Sequence, residues 1–167
     1  MPASFHHMRD AFMEKVMAEK VMAPLLTVAA FRGLTPLQLG EIARHAQKLK
    51  FLRGEIITQA GSAGDGAFVI VSGPAERLKG ACQATDEMLA SGTLIGEMAM
   101  LIEHDYRSTV IARDWVFCLK ITRAAMHEQM QEDPSLAEYF QRRVTERMLK
   151  LSSDLRQIDS LLAAQGV

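Results

Sequence analysis

Between Gln47 and Thr122 the chain is cut into short apolar runs separated by glycine-bearing turns, and this pattern restricts its fold more than any other feature. The runs are Leu49–Leu52, Ile56–Ile57, Phe68–Val71, Met88–Leu89, Val110–Ala112 and Val116–Ile121. Between them stand Arg53-Gly54-Glu55, Gly61 to Gly66, Ser72-Gly73-Pro74 and Ser91-Gly92. A core helix needs a longer stretch with a helical period, whereas closely spaced short runs punctuated by glycine imply an all-β roll or barrel. Pro74 has no N–H to give to a ladder, so a strand there sits at an edge or begins after it. Trp115, the sole tryptophan, reads as a hinge or rim packing residue.

Helical patterns flank this region. Phe5, Met8, Phe12 and Val16 recur at helical spacing from about Phe5 to Val21, giving an amphipathic helix with a methionine-rich face that docks on its own domain or on a partner. Pro24 then punctuates, and Thr35 as N-cap with Pro36 in the first turn opens a helix to about Ala46. After Thr122, which can cap Arg123-Ala124-Ala125-Met126, helices return, and Asp133-Pro134-Ser135 breaks the chain once more. From Leu136 to about Ala164 there is no glycine or proline, and Val144, Met148, Leu151, Leu155, Ile158 and Leu162 fall alternately four and three residues apart. That is close to a coiled-coil seam, so a homodimer through this helix is expected. The fold class is therefore α+β, mainly β: N-terminal helices over residues 1–46, a β-roll over 47–122, and C-terminal helices over 123–167.

The totals narrow the function. With 167 residues there is room for one core and an appended helix, and Lys+Arg 19 against Asp+Glu 20 produces no basic field for nucleic acid. Cys82 and Cys118 lie far apart without metal spacing or a disulfide framework, and charges from Arg9 to Lys20 interrupt any signal or spanning segment. A cytoplasmic protein without a membrane segment is expected. Cys118, in Val116-Phe117-Cys118-Leu119, reads as a buried small hydrophobe.

The functional signal is Gly96-Glu97-Met98-Ala99-Met100, followed across a short loop by Arg107-Ser108-Thr109-Val110. Gly96 lets backbone approach a ligand without a Cβ, and a helical turn after it would aim N–H groups at an anion. Arg107 offers a planar fork of donors suited to the two exocyclic oxygens of a cyclic phosphate. A carboxylate beside an anion site repels unless it accepts from a hydroxyl, so Glu97 points to a ribose 2′-OH, with Ser108 and Thr109 as further hydroxyl donors. Taken alone, Glu97 and Arg107 read equally well as a surface ion pair worth about 0–1 kcal/mol.

These residues resemble the phosphate-binding cassette, here about residues 94–110, of the cyclic-nucleotide-binding domains. The likeness runs from about Leu25 to at least Leu155 and includes Gly54-Glu55-Ile56-Ile57, Gly61, Asp65, Phe68, Ile70 and Gly73, and the approach Leu89-Ala90-Ser91-Gly92-Thr93-Leu94-Ile95. The resemblance implies a double-stranded β-helix, or jelly-roll, fold. It implies that Glu97 holds the ribose 2′-hydroxyl, that backbone N–H groups of Ala99 and Ser108 touch ribose and phosphate oxygens, and that Arg107 pairs with the phosphate. The interval from Glu97 to Arg107 looks more like the bacterial catabolite activator branch than the kinase regulatory branch, whose arginine comes one residue sooner, where Tyr106 stands here. In the activator branch hydroxyl residues midway along the long helix reach the purine, which points to Ser152 and Ser153.

The expected function is a non-enzymatic cyclic-nucleotide sensor that signals through a hinge near Thr122 and the long helix to a protein effector. Ser108 suits cAMP and is compatible with cGMP, and no resident cofactor is expected. The sequence stops soon after its long helix, so direct DNA binding is not expected. A second class is a dimerisation or interaction scaffold on a degenerate roll. A metal enzyme of the related β-helix type would need clustered ligands, and His6, His7, His45, His104 and His127 do not cluster within the roll.

Overall fold

The computed structural model describes residues 19–80 and 85–164. Phe5, Met8, Phe12 and Val16 of the expected methionine-rich helix, together with Cys82, lie outside the described residues, while residues 19–27 are helical (α1). The described residues fall into two compact units divided between Gln129 and Met130.

In the first unit α2 (Pro36–His45) begins at the expected cap. Thr35 Oγ1 accepts from Gln38 N at 3.2 Å, and Gln38 Oε1 accepts from Thr35 N at 2.9 Å, so two otherwise orphaned donors are satisfied reciprocally. The strands are β1 (Gln47–Phe51), β2 (Ile56–Thr58), β3 (Ala63–Gly64), β4 (Gly66–Ser72), β5 (Ala75–Arg77), β6 (Glu87–Leu89), β7 (Leu94–Ile95), β8 (His104–Asp105), β9 (Val110–Ala112) and β10 (Val116–Thr122). They form two four-stranded sheets, ordered β1-β10-β4-β7 and β2-β9-β5-β6, and the short pair β3-β8. Every pairing among these strands is antiparallel. The first strand ends one residue before the expected Leu52, because Leu52 N donates to the Glu55 carboxylate at 2.6 Å and the chain turns there. Pro74 falls between β4 and β5, in the gap its missing N–H requires.

The core is shared by the two larger sheets. Phe68, Ile70, Ile95 and Cys118 meet Ile57, Ala75, Leu89, Val110 and Ala112 in one cluster of buried side chains. Full burial of an aliphatic or aromatic side chain contributes about 1.5–3 kcal/mol, so this cluster dominates the roll's stability. Cys118 is the small hydrophobe the sequence suggests, and burial pushes its thiol up to about 12. A bulge shapes the sheet: Phe117 lies opposite Ser72 but Cys118 lies opposite Ile70. Phe117 faces outward while Cys118 faces in. Trp115 is on the rim, with Lys50 Nζ 3.2 Å from its ring centroid.

Thr122 Oγ1 accepts from Ala125 N at 3.2 Å and starts α3 (Arg123–Glu132). In the second unit α4 (Pro134–Ala164) starts at Pro134 rather than Leu136, because Asp133 Oδ1 accepts from Ser135 N at 3.0 Å and from Leu136 N at 3.3 Å. Leu136 and Phe140 are its buried residues. The seam residues Met148, Leu151, Leu155, Ile158 and Leu162 are between 49% and 62% exposed.

Candidate functional site

Gly96 closes β7 with φ 75° and ψ 36°, in the left-handed region. A Cβ there would lie 2.7 Å from Cε1 of Tyr106, so glycine is required both for the backbone angle and for the space. The turn that follows, Glu97–Met100, is a single 3-10 turn of four residues in which Ala99 N donates to Gly96 O at 2.9 Å. The Ala99 N–H, which the resemblance assigns to ribose and phosphate oxygens, is engaged within the turn in this structure. Glu97 and Met98 are half-buried, whereas Ala99 and Met100 are buried in the roll.

Arg107 is exposed at the far end of the loop. It lines a hollow of about 730 Å³ together with Ala63, Gly64, Glu103, His104, Asp105, Tyr106 and Arg123. Glu97, Met98, Ser108 and Thr109 do not line that hollow. Ser108 and Thr109 are tied to the neighbouring strand instead: Ser108 O accepts from Thr58 Oγ1 at 3.0 Å, and Thr109 Oγ1 accepts from Ala60 N at 3.1 Å. Ser152 and Ser153 belong to the second unit, on α4, where Ser152 Oγ accepts from Arg156 Nη2 at 3.2 Å.

Two features of the site escaped sequence reasoning, and a third stands out in the sequence only for its place beside Arg107. Arg123 Nη1 donates to Gly64 O at 2.9 Å, Ala99 O at 3.1 Å and Ile102 O at 3.2 Å, binding β3 and the cassette loop to the start of α3. His127, one turn on, donates from Nε2 to Leu101 O at 2.7 Å. A signal existed for Arg123: a cation in the first turn of a helix opposes the macrodipole, which implies another partner for it. The third feature is Tyr106. Its hydroxyl donates to Gly66 O at 2.8 Å and lies 3.4 Å from Asp65 Oδ1, while Lys120 Nζ holds Asp65 Oδ2 at 2.8 Å. The hydrogen bond from Lys120 holds the Asp65 carboxyl below its ordinary value, against the opposing effect of partial burial. Burial, then the Asp65 charge, pushes the Tyr106 phenol above its ordinary value.

Residues 48–133 match the family model described as the cyclic nucleotide-binding domain. The chain belongs to the cyclic nucleotide-binding domain family. It is 27% identical over 125 residues to a cAMP-dependent protein kinase regulatory subunit of Aspergillus fumigatus, covering 74% of this chain and 27% of that protein. The chain thus spans about a quarter of that relative's length. Among solved structures it is similar to a cyclic nucleotide-binding-like protein from Brucella abortus, with 24% identity, 66% of this chain and 97% of that chain covered, and a TM-score of 0.58. The N-terminal domain of a transcriptional regulator from Streptomyces coelicolor is similar at 21% identity, with 79% and 94% covered and a TM-score of 0.66. At these identities the two structures bear on the fold of the cyclic nucleotide-binding domain alone. Among the described residues no group of three or more His, Cys, Asp or Glu could hold a metal, and no helix is long and apolar enough to cross a membrane.

Proposed function

We propose that the chain is a non-enzymatic receptor for a cyclic purine nucleotide, cAMP foremost and cGMP second. The observation that carries this reading is the cassette itself: a left-handed Gly96 sets Glu97 at the head of a 3-10 turn, and Arg107 follows at the rim of a hollow. In this reading Arg107 pairs with the cyclic phosphate, Glu97 accepts from the ribose 2′-OH, Ser108 adds a phosphate contact, and Ser152 or Ser153 meets the purine. The Aspergillus relative, by its description a regulatory subunit of a cAMP-dependent protein kinase, supports cAMP over other cyclic nucleotides.

Signalling follows from the tethers on α3. Anything that shifts the loop carrying Ala99, Leu101 and Ile102 shifts the acceptors of Arg123 and His127, and therefore α3. The ligand favours whichever arrangement of α3 and α4 completes its site, by no more than its differential affinity for the two. The exposed seam of α4 supports pairing with a second copy, and a protein effector would receive the signal. A cytoplasmic setting fits the unpaired thiol of Cys118.

Calorimetric titration with cAMP, cGMP and cyclic di-GMP, in wild type and Arg107→Ala, tests the reading. Hydrogen bonds to charged groups contribute about 1.5–3 kcal/mol each, so losing the arginine fork should weaken cAMP roughly 100-fold or more. No heat with any of the three nucleotides, or unchanged affinity in the variant, overturns it.

A further inference from the structure

The residue immediately before Arg107 does more than occupy a loop. Tyr106 is 8% exposed, although it lies between Asp105 and Arg107, both of which are exposed. Its ring packs on three parts of the site at once. It lies against Gly96, where a Cβ would come within 2.7 Å of Cε1, and against Gly64, where a Cβ would stand 3.3 Å from the same atom. Its centroid is also 6.2 Å from that of Phe68. The backbone on either side is pinned: Tyr106 N donates to Ser62 O at 2.9 Å, and Tyr106 O accepts from Gly61 N at 2.8 Å. The hydroxyl fixes the remaining freedom through Gly66 O, and Asp65, the carboxylate nearest it, is itself held by Lys120.

We propose that Tyr106 is the positioning residue of the nucleotide site, its ring setting the left-handed Gly96 turn and its anchored backbone fixing the point from which Arg107 reaches the phosphate. A single side chain thereby determines the separation of the two halves of the cassette, the carboxylate half at Glu97 and the guanidinium half at Arg107. The ring and Gly96 are matched, since a Cβ at Gly96 would come within 2.7 Å of it, while a Cβ at Gly64 would crowd the ring only at 3.3 Å and would instead meet Ala99 Cβ and His104 O at 2.6 Å. Tyr106 touches no ligand in this account and acts through Arg107. A bidentate guanidinium contact tolerates little angular error, so a loosened base should cost affinity without abolishing the fold.

The inference rests on the receptor reading, and a double-mutant cycle separates the two. The cAMP affinity of wild type, Tyr106→Phe, Arg107→Lys and the double variant is measured by calorimetry, with thermal melting of each to confirm folding. Tyr106→Phe keeps the ring and the backbone bonds but removes the hydroxyl's hold on Gly66 O, so the base of Arg107 loosens and cAMP should weaken about fivefold in the Arg107 background, the effect of one lost hydrogen bond on geometry. In the Arg107→Lys background, where no planar fork remains to be aimed, the same change should cost less than about twofold, while its effect on melting temperature stays the same in both backgrounds. Equal losses of affinity in the two backgrounds would reduce Tyr106 to a structural residue and overturn the inference while leaving the receptor reading intact. A wild-type protein that binds no cyclic nucleotide overturns both.

Discussion

The β-roll and the long helix α4 treat their apolar residues in opposite ways. In the roll, Val69, Ile70, Val110 and Val116 have no exposed surface, and edge-to-face rings such as Phe51 and Phe68 fill the space between sheets. On α4 the residues of the repeat from Met148 to Leu162 stand in solvent, with Leu155 62% exposed. Both regions are built from apolar side chains, mostly Val, Ile and Phe in the strands and Leu, Ile and Met on α4. The difference teaches that the strands bury their apolar residues within the roll, whereas the heptad-like seam of α4 leaves its own in solvent.

The sharpest way to break this contrast is to truncate one residue in each region. Ile70→Ala should destabilise the protein by about 2–5 kcal/mol in denaturant melts, since the roll cannot collapse around the void. Leu155→Ala should cost less than about 0.5 kcal/mol in dilute solution, yet lower the dimer fraction in sedimentation at high concentration. A large loss from Leu155→Ala in the monomer would show that α4 is not an open seam.

Another test addresses a buried polar side chain of the first unit. Gln129 is 5% exposed, and neither its Nε2 nor its Oε1 has a hydrogen-bond partner among the described residues. An unsatisfied buried amide costs about 1–3 kcal/mol, so Gln129→Met should raise the melting temperature by an equivalent amount. Unchanged or lowered stability would mean that the amide is satisfied in solution.

The smallest effects are pH-dependent and belong to the Tyr106 anchor. Asp65 is held below its ordinary 3.8, so its contribution is present above that value and is lost as pH falls through the folded-state value. Tyr106 is raised above 10.0, so the folded state holds a proton that the unfolded chain releases there. Stability therefore falls as pH rises from 10.0 toward the folded-state value. Melting curves across the alkaline range should be flatter for Tyr106→Phe than for wild type, and parallel curves would contradict the assignment.

Much of the roll was legible because its strands are short apolar runs between glycines, and two helices because Thr35 and Thr122 cap them, whereas the cap at Asp133 reads only as a break. The pair β3-β8 was not, since Ala63-Gly64 and His104-Asp105 carry no apolar alternation; the backbone bonds of Tyr106 to Gly61 and Ser62 flank that pairing. At the site, Gly96 and Arg107 could be found from their chemistry, and the left-handed angle at Gly96 is what its lack of a Cβ foretells. The position of Arg123 in a helix's first turn hinted at a partner, but neither its acceptors nor that of His127 could be found in that way. Their partners are backbone carbonyls of Gly64, Ala99, Leu101 and Ile102, and a carbonyl leaves no mark on the identity of the residue that bears it.

Trp115, over whose ring the Lys50 ammonium sits, has a practical consequence. As the chain's sole indole, more than half exposed and outside the hollow that Arg107 lines, it makes intrinsic emission a gauge of the roll's outer edge. A fluorescence titration that stays flat would therefore say nothing against occupancy of the cassette, and a labelled nucleotide or a heat measurement is the suitable detector.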